Sequence, residues 1–270
     1  MKRVAPLIRF LFLALCACAF LYPIVHTFTG SLVGTRTAIG VYGKRLILIP
    51  DRVSVDQYLM LLFGNNGYLN AFVYTLLNSF LIAAGNTMLC FFAAYGFARV
   101  KFPGRDALFF LILLGMMMPF QVTLLPNFLT IQALNLYDTR WALLLPNLFM
   151  PFGVYLMRQF ILQLDSAQCA SFRLDCRSTV KMLILVILPQ VTPAVAALFI
   201  LTFAQAWNMV DQPLILLSDR SLMPLSVLLS EDFGGKTGLL FAASVVFMLP
   251  ILTLYALFSD QLMEGMESLR

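Results

Sequence analysis

The sequence predicts an all-α membrane protein with six transmembrane helices and both termini in the cytoplasm. Three observations lead to this prediction: the composition, six long apolar runs, and an uneven distribution of lysine and arginine between the loops. The 270 residues are 61% hydrophobic and 11% charged, whereas soluble domains are about 25% charged. Because so little charge cannot cover a soluble surface, we expect most of the chain to lie in lipid.

The six apolar runs each have the roughly 20 residues that a helix needs to cross a membrane. They are Phe10–Thr29, Leu69–Phe97, Ala107–Phe128, Trp141–Phe160, Met182–Trp207 and Leu239–Leu262. The first is longer than the roughly 7–15 apolar residues of a signal peptide and lacks an evident small-residue cleavage site, so we expect a retained span. We predict one transmembrane domain over residues 1–270.

Positive residues between the spans set the orientation. With the N-terminus inside, eleven lysines and arginines lie on the cytoplasmic side and seven lie outside. Four of the outer ones lie between Arg36 and Arg52 in a longer loop, so the short Arg99–Arg105 loop has more weight. This orientation places the charged loop 163–181, between spans four and five, in the cytoplasm.

Prolines lie at or inside the predicted spans. Each removes a backbone donor, so helices should kink or break where protein or water satisfies the freed carbonyls. They are Pro119, Pro126, Pro146, Pro151, Pro189, Pro193 and Pro250. Many transporters and channels share this feature, which therefore says little about function by itself.

The residues of a membrane enzyme are missing from the sequence. Such an enzyme needs a nucleophile and base, paired carboxylates or a metal set at membrane depth. The single histidine, His26 in "YPIVHTF", is typical of an interfacial residue, and there is no HExxH, GxSxG or CxxC motif. We predict no catalytic residue, metal or cofactor on this chain. Lysines and arginines that flank spans account for the net charge of +5 without nucleic acid.

Two kinds of transporter remain. An ion-coupled secondary carrier commonly has ionisable residues inside its spans. The one candidate is Asp211 in "WNMVDQPL", for which we favour the alternative position in water at the outer end of a helix. A permease driven by a partner needs instead a cytoplasmic element that docks on a soluble motor. The 163–181 loop has a modest apolar stripe at helical spacing, formed by Cys169, Phe172, Cys176 and Val180. This spacing predicts a docking helix and a helix on the lipid surface equally well.

The stretch "MRQFILQLDSAQCASFRLDCRSTVKMLILVILPQVTP", residues 157–193, resembles the EAA-loop region of bacterial ABC importer permeases. It is most similar to the MalG-like subunits of carbohydrate importers. The family pattern MRQ-F, E-A-A-x-x-D-G-A and LP-x-x-x-P aligns onto 157–159, Asp175, 188–189 and Pro193. Further stretches resemble the family in the family's order, namely "LLNSFLIA", "AAYGFARVKFPGR", "MMMPFQVTLLP", "LNLYDTRWALLLP", "TFAQAWNMVDQPLILLSD" and "QLMEGM".

The resemblance implies a type I ABC importer permease fold in the bacterial cytoplasmic (inner) membrane. It implies a second, MalF-like permease as a partner, two ATP-binding cassette subunits that carry ATP and Mg, and an extracellular or periplasmic solute-binding protein. The expected cargo is a carbohydrate, and this chain would bind no nucleotide itself. The implied ATPase-docking loop comprises Ala170, Ser171, Phe172, Arg173, Asp175, Cys176 and Arg177.

This loop departs from the family pattern. The family's Glu-Ala-Ala is Ala170-Ser171-Phe172 here, and the glycine after Asp175 is Cys176. Loss of the glutamate removes a charge-assisted contact, and replacement of the glycine adds a side chain at a tight turn. Weaker docking, docking to a co-adapted partner, and a degenerate permease paralogue are therefore alternatives.

A sugar path needs amide and carboxylate hydrogen bonds and aromatic faces. Residues that supply such groups near or inside the spans are Gln121, Asn147, Trp207, Asn208 and Asp211. Packing between helices is the alternative role for polar residues in spans, and we favour it for Asn78, Asn86 and Asn147. The sequence leaves the particular sugar open.

Overall fold

The computed structural model describes residues 4–34, 53–64, 67–165, 169, 171, 178–230 and 237–267, which are mostly helical. One isolated bridge pairs Val33 with Val53. The helices are α1 (Val4–Ser31), α2 (Asp56–Phe63), α3 (Tyr68–Arg99), α4 (Arg105–Met116), α5 (Phe120–Ala133), α6 (Arg140–Asn147), α7 (Pro151–Gln163), α8 (Thr179–Gln190), α9 (Thr192–Trp207), α10 (Asp211–Leu216), α11 (Leu225–Ser230) and α12 (Thr237–Glu267).

Three of the predicted spans are single helices that are long and apolar enough to cross a membrane. They are Arg9–Ser31, Tyr68–Arg99 and Thr237–Gln261. The third and fifth predicted spans are bent pairs, α4 with α5 at 108° and α8 with α9 at 83°. The fourth is divided into α6 and α7 at residues 148–150. The described residues thus have three to five candidate spans, and the number six and the cytoplasmic termini stay predictions.

Proline explains where several helices break. Pro119 precedes α5, and Pro151 is the first residue of α7, where a missing N–H costs no helical hydrogen bond. In α8, Pro189 cannot donate to the carbonyl four residues earlier, and residues Leu183–Ile187 form a π-helical turn. Pro126 and Pro250, by contrast, lie inside continuous helices.

The chain divides into two compact units, residues 1–72 with 228–249 and residues 73–227 with 250–270. In the first unit, the Ser31 and Tyr58 hydroxyls lie 2.6 Å apart, and the Tyr68 hydroxyl donates to the Ala243 carbonyl at 2.9 Å. A Cβ on Gly30 would lie 2.4 Å from the Phe241 ring. Only glycine therefore fits at residue 30 without a shift of that ring.

The core of the second unit is formed by α3, α7, α8 and α9. Cys90 and Ala94 of α3 are fully buried at four-residue spacing, and they face Val154 and Met157 of α7. A Cβ on Gly153 would lie 2.7 Å from the Cys90 sulfur, so the two backbones approach closely where this glycine lies. Close approach at small residues is the usual way that membrane helices pack.

Candidate functional site

A cavity of about 770 Å³ lies in the second unit where three helix breaks meet. The breaks are 117–119 between α4 and α5, 148–150 between α6 and α7, and 208–210 between α9 and α10. The volume is within the roughly 300–1,000 Å³ that small-molecule sites occupy. Discontinuous helices expose backbone polar groups, and transporters commonly build their substrate sites from them.

The cavity lining is polar but nearly uncharged. Six side-chain amides, two threonine hydroxyls and three phenylalanine rings contribute to it, with several methionines. The amides belong to Asn86, Asn127, Asn147, Gln205, Asn208 and Gln212. Asp211 is the one charged residue among the described lining residues. Amides both donate and accept hydrogen bonds, so this lining suits a ligand rich in hydroxyl groups.

Three of the lining amides form a network that holds the break between α6 and α7. Pro151 has no N–H to donate to the Asn147 carbonyl, and the Asn86 amide donates to it instead at 3.1 Å. The Asn147 amide donates in turn to the Gln212 side chain at 2.7 Å, and Thr202 donates to the Asn86 oxygen at 3.4 Å. Asn86 therefore replaces a donor that proline removed, as buried backbone groups require.

The structure places only part of the predicted path set at the cavity. Asn147, Asn208 and Asp211 line it. Trp207 is fully buried and stacked on Phe203 at 5.7 Å between ring centroids, and it is outside the lining. Gln121 is exposed on α5 and also outside the lining.

Sequence reasoning missed several lining residues. It assigned Asn86 to packing, and Asn86 does make hydrogen bonds between helices, but at the edge of the cavity. The side chains of Asn127 and Gln205 were not considered, and they make no hydrogen bond within the described part of the chain while lining the cavity. Gln212 adjoins Asp211 in "VDQP", and that proximity was the one available signal.

The position of α10, which carries Asp211 and Gln212, is fixed at its other end by Asp138. The Asp138 N–H donates to the Leu216 carbonyl at 3.1 Å, and its carboxylate accepts from the N–H groups of Ser218 and Asp219 at 2.8 Å each. These two donors, Asp219 first, lower the pKa of the Asp138 carboxyl because they favour the charged form. The loop after α5 is thereby tied to the loop after α10.

A second region of interest lies at the C-terminal end of α7, where the loop 163–181 begins. Arg99 at the end of α3 donates to the Ile161 carbonyl at 2.9 Å and to the Leu164 carbonyl. In return, Arg158 of α7 donates to the Phe97 carbonyl at 3.3 Å and lies 4.1 Å above the Phe109 ring. Each arginine caps the other helix, where the negative end of the helix dipole favours a cation.

The predicted docking residues lie mostly outside the described residues, namely Ala170, Phe172, Arg173, Asp175, Cys176 and Arg177. Ser171 is helical and exposed. Cys169 is partly buried and packs against the core of the second unit. Val180, the last residue of the predicted stripe, is 59% exposed.

Comparison with known proteins identifies the family. Residues 86–266 match the family model described as binding-protein-dependent transport system inner membrane component. The chain belongs to this family. It is therefore a permease component of a transport system of this type, as the EAA-loop resemblance indicated.

Named relatives come from several transport systems. The chain is 30% identical over 263 residues to the arabinooligosaccharides transport system permease protein AraQ of Bacillus subtilis, covering 95% of this chain and 92% of that one. It is 30% identical over 212 residues to the sn-glycerol-3-phosphate transport system permease protein UgpE of Pectobacterium atrosepticum, with 75% of each chain covered. It is also 26% identical over 238 residues to the polygalacturonan/rhamnogalacturonan transport system permease protein YtcP of Bacillus subtilis, covering 88% of this chain and 81% of that one.

A solved structure shares the fold. It is a chain of a bacterial ABC transporter involved in the import of the acidic polysaccharide alginate, with a TM-score of 0.85 and 21% identity, and 96% of each chain is covered. At this identity the likeness concerns the fold alone.

Proposed function

We propose that this chain is the permease subunit of an ATP-driven importer for a carbohydrate. The observation that carries the proposal is the amide-lined cavity at three helix breaks, in a chain of the binding-protein-dependent permease family. The named relatives of arabinooligosaccharide and polygalacturonan systems support a sugar as the cargo. Six spans with cytoplasmic termini, in the bacterial cytoplasmic membrane, belong to the same proposal.

The proposed mechanism uses partners for the energy. A second permease completes the path, two ATPase subunits drive the pair, one of them bound to the loop 163–181, and an external solute-binding protein delivers the sugar. ATP binding and hydrolysis on the partners then switch the permease pair between inward- and outward-facing states. This chain breaks no bond itself.

The α3–α7 pair is the proposed connection between the ATPase and the cavity. The 13 residues of α7 span about 20 Å at a rise of 1.5 Å per residue. Asn86 holds the last carbonyl of α6, across the break from the first residue of α7, and Arg99 holds the carbonyl just after the last residue of α7. A displacement of the loop at Leu164 therefore moves α7 and α3 together, and the break at 148–150 moves with them.

Affinity purification of the tagged chain from its native membrane, with mass spectrometry of the proteins retained, tests this function. We expect an ATPase subunit and a second permease to be recovered. Asp175→Arg should reduce recovery of the ATPase while Arg105→Met, at the first residue of α4, leaves it unchanged. Recovery of the chain alone across several detergents would contradict the proposal and favour an independent carrier or a degenerate paralogue.

A further inference from the structure

The charge of the cavity restricts the class of sugar that this subunit admits. The side chains of Asn127 and Gln205 line the cavity and have no hydrogen-bond partner within the described residues, so both amides can bind a ligand's hydroxyl groups. Phe120, Phe149 and Phe152 add aromatic faces, on which the apolar face of a sugar ring packs. These groups bind neutral hydroxylated molecules well.

An anionic sugar would need different groups. Carboxylates and phosphates in proteins are held by arginine, lysine or arrays of N–H donors. No cation is present among the described residues of the cavity lining, and Asp211 places a carboxylate there. A uronic acid or a sugar phosphate would therefore meet the Asp211 carboxylate with no cation among the described lining residues to offset the repulsion.

Asp211 is held in place at this position. It is the first residue of α10, it is exposed and lines the cavity, and the neighbouring Gln212 is 2% exposed and hydrogen-bonded to Asn147. The other end of α10 is tied through Leu216 to Asp138. Because α10 is anchored at both ends, the carboxylate cannot leave the cavity by a shift of the helix.

We propose that Asp211 excludes anionic glycans and that this subunit passes neutral oligosaccharides. The proposal rests on the proposed function of sugar import and refines it. It separates this chain from systems named for an acidic cargo, such as polygalacturonan, sn-glycerol-3-phosphate and alginate. In this respect the arabinooligosaccharide system is the nearer analogue.

The test measures the charge preference of the cavity itself, because the solute-binding protein would otherwise dominate the selectivity of transport. Gln205→Cys is introduced into the importer purified with its partners, after the cysteines other than buried Cys90 are replaced by serine. Its labelling rate is measured with anionic, neutral and cationic methanethiosulfonate reagents of similar size. Gln121→Cys, exposed outside the cavity, supplies the intrinsic reactivity of each reagent.

After this correction, we expect the anionic reagent to react on the order of tenfold more slowly than the neutral one, since a like charge within several ångströms costs that much in a partly hydrated site. Asp211→Asn, which keeps the shape, should remove the difference. Asn127→Cys is a second reporter in case Gln205→Cys disturbs α9. Equal corrected rates, or a difference that persists in Asp211→Asn, would overturn the proposal. Labelling needs no transport and can be repeated on the chain purified alone, so neither result depends on whether the ATPase co-purifies.

Discussion

Helix α3 holds the break before α7 and the end of α7 in different ways. At the break, the neutral amide of Asn86 donates to the carbonyl of Asn147, the last residue of α6. At the end, the guanidinium of Arg99 donates to two carbonyls. The donor beside the cavity, Asn86, is neutral, and a charged donor there would alter the selectivity of the cavity. The donor at the ends of α3 and α7, Arg99, is a cation. The difference indicates that the cavity end is built for a ligand and the other end for mechanical attachment.

Loss of the Arg99 hydrogen bonds at the end of α7 should lower the free energy of unfolding more than loss of the Asn86 hydrogen bond. Arg99→Met removes two charge-assisted hydrogen bonds, each worth about 1.5 kcal/mol at the low end of the usual range because Arg99 is only partly buried, and we expect the free energy of unfolding to fall by about 3 kcal/mol. The matched control is Arg105→Met, which removes only an ion pair with the adjacent Asp106 and should cost under about 0.5 kcal/mol. Thermal unfolding of the purified variants in detergent measures both. Equal losses would mean that Arg99 has no special role.

The second-largest loss of stability should come from disturbing the close packing of α7 against α3. Gly153→Ala places a methyl 2.7 Å from the Cys90 sulfur and 3.1 Å from the Leu198 methyls, an overpacking that typically costs about 1–3 kcal/mol. Gly96→Ala in α3 meets nothing within 4 Å and should be neutral or stabilising, because alanine favours a helix over glycine. Thermal unfolding of both alanine variants distinguishes the effect of overpacking at residue 153 from the effect of alanine's higher helix propensity. A stable Gly153→Ala would show that α3 and α7 are not in tight contact.

Loss of the Asn86 hydrogen bond beside the cavity should cause the smallest loss of stability but a clear loss of transport. Asn86→Ala leaves the Asn147 carbonyl without its donor, which costs about 0.6 kcal/mol, the average for hydrogen bonds between membrane helices. Sugar uptake in proteoliposomes should nevertheless fall, because the break beside the cavity loses its support. Gln121→Ala, outside the cavity, should change neither quantity. Normal uptake by Asn86→Ala would show that the hydrogen bond between Asn86 and Asn147 has no role in transport.

The hydrophobic composition of the sequence was enough to predict three of the spans. The runs at α1, α3 and α12 are single long helices, as their apolar length predicted. Proline predicted the breaks near 119, 151 and 189. It did not predict their angles, and an angle of 108° between α4 and α5 decides which face of α5 meets the cavity. For this reason Gln121 was predicted at the path and lies outside its lining.

Trp207 and the arginines illustrate a second limit. An aromatic residue at the end of a span suits both a sugar platform and a buried stack, and only the pairing with Phe203 in three dimensions decides between them. Arg99 and Arg158 counted in the sequence only as positive charges. Their hydrogen bonds join residues about sixty positions apart, a pairing that no local pattern contains.

The proposed mechanism requires α3 and α7 to move as one body between the docking loop and the cavity. Spin labels at exposed Leu89 and Leu162 report the α3–α7 distance, and labels at exposed Leu129 and Leu201 report the distance between α5 and α9. Both distances are measured by pulsed electron paramagnetic resonance in the complete importer, without nucleotide and with ATP trapped. We predict that the α5–α9 distance changes while the α3–α7 distance does not. A change in the α3–α7 distance as large as that between α5 and α9 would contradict the claim.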